Sequence, residues 1–255
     1  MERWQNYNNF KNAIGIKLKT IWITGGSTGI GYATAKKFIE ENWTVVISSS
    51  NSKKLENAKN NLIKLKKKTK IYSIKCDISN RDEVHNVVKK IENDISPIDI
   101  ALLNAAAYSP NKTQKFDINN YEKLIDVNLK GTLYCIEILD TIMSAKNNGH
   151  IAIVASPTGY RGLPTAGAYG STKAALINLS ETLYFDFRKK GIKISLINPG
   201  FIKSSDFAAK KIFKGLTKKK NFEIYFPWFF LILLKFLKIL PYRIYFFLIR
   251  KITGL

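Results

Sequence analysis

Cysteine and histidine are scarce in this sequence of 255 residues, and each shortage excludes a class of protein. Cys76 and Cys135 stand far apart in apolar surroundings, without the pair spacing of a disulfide framework or a zinc site. His85 and His150 are equally isolated, so we expect no metal site. Two buried, inert thiols are typical of a reducing compartment.

A secretory signal is also missing, because the opening MERWQNYNNF contains no long apolar stretch. Acidic residues are few: 19 Asp and Glu stand against 41 Lys and Arg, which gives a formal net charge of +22. Residues 200–255 carry almost half of this excess, with 12 Lys and Arg against 2 Asp and Glu, and the sequence has no arginine-rich run or zinc-finger spacing. We therefore expect a cytoplasmic protein that does not bind nucleic acid.

Apolar runs and helical patterns alternate from residue 18 onward. The predicted strands are 18–24, 43–48, 70–75, 98–103, 149–155 and 192–197, and the predicted helices are 29–41, 51–67, 80–94, 118–147 and 166–190. This alternation predicts an α/β fold, a Rossmann-type doubly wound parallel sheet in three α/β/α layers. We expect one domain over 17–226, preceded by an N-terminal extension (1–16) and followed by an apolar, basic helical tail (227–255).

The first predicted strand runs directly into TGGSTGIG, residues 24–31. Glycines at a sharp turn let a ligand approach the backbone, and the following helix offers N–H groups and a positive dipole end to a pyrophosphate. The pattern predicts dinucleotide binding. The residues predicted to contact the cofactor here are Gly25, Ser27, Thr28, Gly29, Ile30 and Gly31.

The second predicted strand ends in VVISSSNSKKLE, residues 45–56, where an acid would select NAD. No acid occurs before Glu56, whereas Ser50 and Asn51 are small and polar and Lys54 is placed to reach a phosphate. We therefore favour NADP over NAD, although an arginine is missing. The alternative is a polar helix start that Ser50 or Asn51 caps.

AYGSTKAAL, residues 168–176, places Tyr169 and Lys173 four positions apart with only small residues between them. On a helix these two side chains share a face, and a cation beside a phenol lowers its pKa. The pair predicts a proton donor and acceptor, although the same spacing is also common on solvated helix surfaces.

With TGGSTGIG and YGSTK both present, the chain resembles the short-chain dehydrogenase/reductase family from about Lys17 to at least Ser204. KCDIS, LNAA, DVNLKG, IVASPTG and NPGFIKS follow in the family's order. The sequence departs from the family pattern at Leu103, Ala106 and Ser204, where Asn, Gly and Thr are usual.

The resemblance implies a role for each matching residue. Tyr169 would be the general acid, Lys173 would lower its pKa and hold the nicotinamide ribose, and Ser156 would bond the substrate carbonyl oxygen. Asn128 would hold a water against Lys173, although it could instead cap a kink, and Ser156 could merely end a strand. Further cofactor contacts are expected from Asp77, Ile78, Asn104, Ala105, Pro199, Gly200, Ile202 and Ser204, together with Tyr169 and Lys173.

Residues 227–255 are apolar, but five cations interrupt them and the longest uncharged run is too short to span a bilayer. Pro227 suits a helix start, and Pro241 should divide the segment into two helices. Such a segment favours a membrane surface, where Lys and Arg reach the headgroups. The alternative is packing against a partner subunit or over the domain's own core.

The leading hypothesis is an NADP-dependent carbonyl reductase or alcohol dehydrogenase. The family resemblance implies a homodimer or homotetramer that forms through the helices predicted at 118–147 and 166–190. Its small-molecule carbonyl or alcohol substrate could be lipid-like, a steroid or a 3-oxoacyl compound. The alternative is a non-catalytic dinucleotide-binding sensor or a membrane-associated scaffold.

Overall fold

The computed structural model describes residues 18–66, 70–109, 116–200, 204–219 and 221–254; the predicted extension 1–16 lies outside them. Within these ranges, seven parallel strands form one sheet in the order β3-β2-β1-β4-β5-β6-β7. The strands are β1 Thr20–Thr24, β2 Thr44–Ser49, β3 Ile71–Lys75, β4 Ile100–Leu103, β5 Gly149–Val154, β6 Ile192–Pro199 and β7 Glu223–Phe226.

Helices cover both faces of this sheet, as the alternating pattern predicts. They are α1 Gly29–Glu40, α2 Ser52–Ile63, α3 Arg81–Lys90, α4 Ile118–Leu124, α5 Gly131–Ala145, α6 Gly167–Arg188, α7 Ser205–Phe213, α8 Trp228–Ile239 and α9 Tyr242–Thr253. A π-helical segment, Ile125–Lys130, joins α4 to α5, and others follow α3 (Ile91–Ile95) and α7 (Lys214–Lys219). The predicted doubly wound α/β fold is confirmed.

The sequence places β1 at the centre of the sheet because its residues are apolar on both faces. All five residues of β1 are buried: Trp22 belongs to the apolar cluster on the face of α3, α5 and α6, whereas Ile21 and Ile23 belong to the cluster on the face of α1 and α2. The chain order reverses between β1 and β4, which lie side by side. In a doubly wound sheet, ligands bind beyond the strand ends at this point.

Strand β7 was not predicted. Its sequence, EIYF, is only four residues long and lies at the edge of the sheet beside β6. Ile224 and Phe226 are buried while Tyr225 is exposed, so the strand lacks the continuous apolar run by which the other strands were recognised.

The tail forms two helices, α8 after Pro227 and α9 after Pro241, as the prolines predict. Leu231, Leu234 and Leu237 on α8 are buried in the same cluster as residues of α6, so one face of α8 covers the domain's own core. Among the helices of the described residues, none is long and apolar enough to cross a membrane.

Candidate active site

The glycine turn after β1 is shaped by close backbone contacts. Gly25 has φ +64°, and a Cβ there would stand 2.8 Å from the Cα of Ala105. A Cβ on Gly31 would overlap the carbonyl oxygen of Gly25. At Gly29, with φ +56°, a Cβ would meet nothing within 4 Å. The turn is therefore tightly packed at Gly25 and Gly31 and open at Gly29. Such an open side lets a ligand contact the backbone of the turn.

Asn104 and Thr24 hold this turn against the end of β4. The Asn104 side-chain amide donates to the carbonyl oxygens of Thr24 (3.1 Å) and Gly25 (3.2 Å). The Thr24 hydroxyl oxygen accepts the backbone N–H groups of Asn104 (2.9 Å) and Ala105 (3.0 Å). Asn104 lies beside the turn, and its side chain positions the turn.

A cavity of about 480 Å³ opens between this turn and the ends of β2, β3 and β4. Its lining is Gly25, Ser27, Thr28, Ser49, Ser50, Cys76, Asp77, Ile78, Asn104, Ala105, Ala106, Ala107, Lys123 and Val127. The Thr28 side chain makes no capping bond at the start of α1, which leaves the first N–H groups of that helix to a ligand. These residues fit a dinucleotide, with its pyrophosphate at the start of α1.

The polar residues after β2 divide into two groups. Ser50 lines the cavity, whereas Asn51 caps α2 by accepting the backbone N–H of Lys54 (2.9 Å). The side chain of Lys54 is exposed, and Lys54 does not line the cavity. For Asn51 the alternative of a helix cap is therefore the one observed.

Asp77 and Ile78 line the cavity beyond β3. The Oδ1 atom of Asp77 accepts the backbone N–H (3.0 Å) and the hydroxyl (2.7 Å) of Ser79. These bonds restrain the orientation of the Asp77 carboxylate at the edge of the cavity.

Tyr169 and Lys173 lie one turn apart on α6, with the Lys173 Nζ 5.5 Å from the centre of the Tyr169 ring. Lys173 is 2% exposed and donates to the carbonyl oxygen of Val154 at 2.8 Å. Burial lowers the pKa of Lys173 to about 8. The pairing predicted from YGSTK is thus present in three dimensions.

The predicted lowering of the Tyr169 pKa is wrong for this structure. Burial raises the pKa of the Tyr169 phenol, a hydrogen bond with Ser156 opposes that rise, and the neighbouring Tyr108 adds to it. The Lys173 ammonium group is directed at the Val154 carbonyl, so desolvation of the phenol dominates. At neutral pH Tyr169 therefore keeps its proton.

Ser156 ends the segment after β5 and is buried. Its Oγ accepts the hydroxyl (2.9 Å) and the backbone N–H (3.3 Å) of Thr158. These two bonds hold the Ser156 hydroxyl near the Tyr169 phenol, whose pKa it lowers.

Asn128 lies in the π-helical segment between α4 and α5 and is 1% exposed. Its side-chain amide donates to the carbonyl of Ala107 (3.0 Å) and to the Thr172 hydroxyl (3.2 Å), and its Oδ1 accepts the N–H of Ala107 (2.7 Å). The Asn128 side chain therefore ties the segment after β4 to α6, a structural role close to the alternative of capping a kink.

The predicted contacts after β6 are placed in part. Pro199 ends β6 and pairs with Phe226, and the N–H of Gly200 donates to the carbonyl of Phe226 (2.8 Å). Ser204 caps α7 by accepting the N–H of Phe207 (3.2 Å). Ile202 lies outside the described residues.

Sequence reasoning missed several residues of the site. The Tyr108 ring meets the Tyr169 ring edge to face, with 4.9 Å between centres. Lys123 and Val127 line the cavity from α4 and the segment that follows it. A helical face over residues 118–128 could have indicated the last two, but Tyr108 follows β4 without any periodic pattern.

This fold and site define a dinucleotide-dependent oxidoreductase of the Rossmann type. The chain belongs to the short-chain dehydrogenase/reductase family: the family model described as short chain dehydrogenase matches residues 19–214. Enzymes of this family act on a CH–OH group with NAD(P).

Curated relatives include uncharacterised oxidoreductases of Staphylococcus aureus. One from strain N315 is 30% identical over 187 residues, which are 73% of this chain and 79% of the relative. One from Staphylococcus epidermidis is 27% identical over 201 residues, 77% of this chain and 85% of the relative.

Solved structures share the fold. A short-chain dehydrogenase/reductase from Burkholderia phymatum in complex with NAD superposes with a TM-score of 0.79 at 20% identity, covering 86% of this chain and 92% of that one. The apo form of LigO from Sphingobium sp. gives a TM-score of 0.77 at 24% identity, covering 83% of each chain.

Proposed function

We propose that this enzyme interconverts a carbonyl and a secondary alcohol, with Tyr169 as the general acid and base and NADPH as the preferred cofactor. The observation that carries the proposal is that Tyr169 and Lys173 share one face of α6, with the Lys173 Nζ 5.5 Å from the centre of the Tyr169 ring, and that Ser156 lies near enough to the phenol to affect its pKa. The family assignment favours an enzyme over the non-catalytic sensor or scaffold.

When bound, the nicotinamide cofactor supplies the hydride to the carbonyl carbon, or accepts it in the reverse direction. Tyr169 donates its proton to the carbonyl oxygen as charge develops there. Its raised pKa suits that step, because the phenol is protonated at neutral pH. Ser156 donates a hydrogen bond to the same oxygen and stabilises its charge.

Lys173 and Asn128 act behind this pair. In this proposal Lys173 holds the ribose hydroxyls, and a pKa of about 8 lets it pass protons near neutral pH. Asn128 orders the segment behind the site through Ala107 and Thr172, beside which a relay water would lie.

The preference for NADP rests on the end of β2. Ser49 and Ser50 line the cavity there, and Ser27 donates to Ser49 at 3.1 Å, so that small hydroxyl groups replace the acid that would repel a 2′-phosphate. Among the described residues of the lining, Asp77 is the single acid, and it belongs to the end of β3.

The tail supports the second part of the proposal, a cytoplasmic enzyme on a membrane surface that takes a lipid-like carbonyl. Large apolar side chains remain exposed on both tail helices: Trp228, Phe229, Phe236, Ile239, Phe247 and Ile252. The sequence from 227 to 255 contains five cations and no acid, which suits anionic lipid headgroups. We retain a homodimer or homotetramer through α5 and α6.

A nicotinamide absorbance assay tests the reaction. Purified protein is offered NADPH or NADH with cyclohexanone, a steroid ketone, a 3-oxoacyl thioester and a long-chain keto-lipid in mixed micelles. We expect oxidation of NADPH with at least one of these carbonyls. Tyr169→Phe should lower turnover by about 10³-fold while NADPH still binds, because only the proton donor is lost. Tyr225→Phe, at an exposed tyrosine of β7, is the matched control.

The outcomes separate the hypotheses. Tight NADPH binding without turnover of any carbonyl would favour the sensor. Full activity of Tyr169→Phe would remove that residue from the mechanism. Faster turnover with NADH than with NADPH would reverse the cofactor preference and leave the reaction unchanged.

A further inference from the structure

The loop of residues 157–166 connects the two catalytic hydroxyl groups, because Ser156 precedes it and Tyr169 follows it by three residues. Inside the loop, the Thr158 hydroxyl bonds Ser156 directly. A displacement of this loop would therefore move Ser156 relative to Tyr169 and change the site where the substrate carbonyl is proposed to bind.

Arg161 joins this loop to the tail. Its guanidinium group donates to the carbonyl oxygens of Lys238 (3.3 Å) and Leu240 (3.1 Å) at the end of α8. The same group lies 4.5 Å from the ring centre of Tyr242 and 4.3 Å from that of Tyr245. A cation at a helix C-terminus satisfies terminal carbonyls and complements the dipole, and the two aromatic rings add cation–π attraction.

A second contact reinforces the first. Tyr245 is 2% exposed, and its hydroxyl donates to the carbonyl oxygen of Gly162. We call Arg161, Tyr242 and Tyr245, with the carbonyls of Lys238 and Leu240, the tail clasp. It holds two successive loop residues, Arg161 and Gly162, against both tail helices.

Tyr160, the residue before Arg161, connects the loop to α8 indirectly, through Glu223 of β7. Its hydroxyl donates to Glu223, which also pairs with Lys235 of α8. Asn198 donates to the Tyr160 oxygen (3.0 Å) and to Glu223 (2.9 Å). Burial and then Glu223 raise the pKa of Tyr160, so this hydroxyl remains a donor.

We propose that Arg161 is a positioning residue for the reaction, and that the tail clasp makes α8 and α9 part of the carbonyl site. The proposal rests on the proposed oxidoreductase function. The loop contains Gly159 and Gly162 and places Thr165 at φ 63°, so its own backbone restrains it weakly. The tail supplies the restraint that keeps Ser156 and the loop border in place.

The cofactor cavity provides an internal reference, since no residue of the clasp lines it. We therefore expect Arg161→Met to lower kcat/KM for the carbonyl by about tenfold or more, mainly through KM, because small misplacements of a positioned site are costly. The dissociation constant for NADPH, read from protein fluorescence, should stay within about twofold of wild type. Arg243→Met, at an exposed arginine of α9, is the matched control.

Tyr245→Phe is the milder variant, because it removes one hydroxyl and keeps the ring against Arg161. It should raise KM by about threefold, in line with the loss of one hydrogen bond, and Arg161→Lys should recover part of the loss in Arg161→Met. Unchanged carbonyl kinetics in both Arg161→Met and Tyr245→Phe would overturn the proposal. A parallel loss of NADPH binding would also overturn it, because that result indicates general destabilisation.

Amide hydrogen exchange over residues 157–166 needs no substrate and separates the two proposals. Faster exchange in Arg161→Met, with no turnover of any carbonyl by the wild type, would support the clasp and reject the oxidoreductase function. If exchange in Arg161→Met is unchanged and the wild type turns over a carbonyl, the tail clasp is rejected and the oxidoreductase function is kept.

Discussion

The cofactor cavity and the tail are built in opposite ways. Seven of the 14 residues that line the cavity are glycine, alanine or serine, and the glycine turn is shaped by close contacts such as that of Gly25 with Ala105. The tail carries large apolar side chains, some of which, including Leu231 and Leu234, are buried, whereas others, including Phe236 and Phe247, are exposed. The comparison teaches that added atoms should damage the cavity, whereas removed atoms should damage the tail.

The largest effect is expected at Gly31, where one added methyl group would overlap the carbonyl oxygen of Gly25. Gly31→Ala should lower the free energy of unfolding by about 3 kcal/mol and weaken NADPH binding by more than about 100-fold, because the turn must move. Gly29→Ala, with open space around its Cβ, should lose about 1 kcal/mol of stability while still weakening binding. Urea unfolding measures the stability of each variant, and fluorescence titration measures its NADPH binding. Equal stability of Gly31→Ala and Gly29→Ala would contradict the tight packing around Gly31.

In the tail we expect the reverse dependence. Leu234→Ala removes atoms from a side chain that is 3% exposed and should lower the free energy of unfolding by about 3 kcal/mol. Phe236→Ser, at a side chain that is 58% exposed, should change it by less than about 0.5 kcal/mol. The same Phe236→Ser variant should float less with vesicles of phosphatidylglycerol and phosphatidylcholine. Equal flotation of wild type and Phe236→Ser would argue against lipid contact at this face.

Lys173 fits neither pattern, because it is a long, charged side chain and yet only 2% exposed. Its pKa is lowered to about 8, so the unfolded chain binds more protons at this site between pH 8 and its ordinary pKa of 10.5. Stability contributed by this site therefore rises with pH across that window, by about 3 kcal/mol at most. Urea unfolding of the wild type and of Lys173→Met should be compared across this pH range, because the difference between their free energies of unfolding removes the contribution of cysteine and tyrosine titration. A difference that does not change with pH would contradict burial of the Lys173 amine.

The smallest effect concerns cofactor choice. Ser50→Asp adds a carboxylate to the cavity wall and should weaken NADPH binding by about tenfold relative to NADH, through repulsion of the 2′-phosphate. Ser52→Asp, at the exposed start of α2, carries the same charge outside the lining and is the control. If Ser50→Asp weakens the binding of NADPH and NADH equally, the 2′-phosphate of NADPH does not lie beside Ser50.

The sequence predicts the central strands well because parallel strands buried on both faces have an unmistakable apolar signature. Strands β1 to β6 all overlap the predicted runs. Both edge strands are partly exposed, but β3 has five residues and was predicted, whereas β7 escaped prediction because it is only four residues long and lies directly before the apolar tail. The two prolines placed both tail helices because proline restricts where a helix can begin.

The site was predictable wherever local spacing determines geometry. Tyr169 and Lys173 share a face because they are four residues apart on one helix. The direction of the Tyr169 pKa was not predictable, since it depends on how far packing removes the phenol from water. The tail clasp could not be predicted either, because 79 residues separate Arg161 from Leu240 and neither stands in a recognisable motif.

That separation has a consequence for biosynthesis. A ribosome has made every strand of the sheet before it reaches Tyr242 and Tyr245, so the Rossmann core can form while the clasp is still incomplete. The loop between Ser156 and Tyr169 would gain its restraint only after α9 has emerged and docked. A nascent chain stalled before Tyr242 would then bind nucleotide while its oxidoreductase activity stays low. Nucleotide binding would therefore precede activity during synthesis.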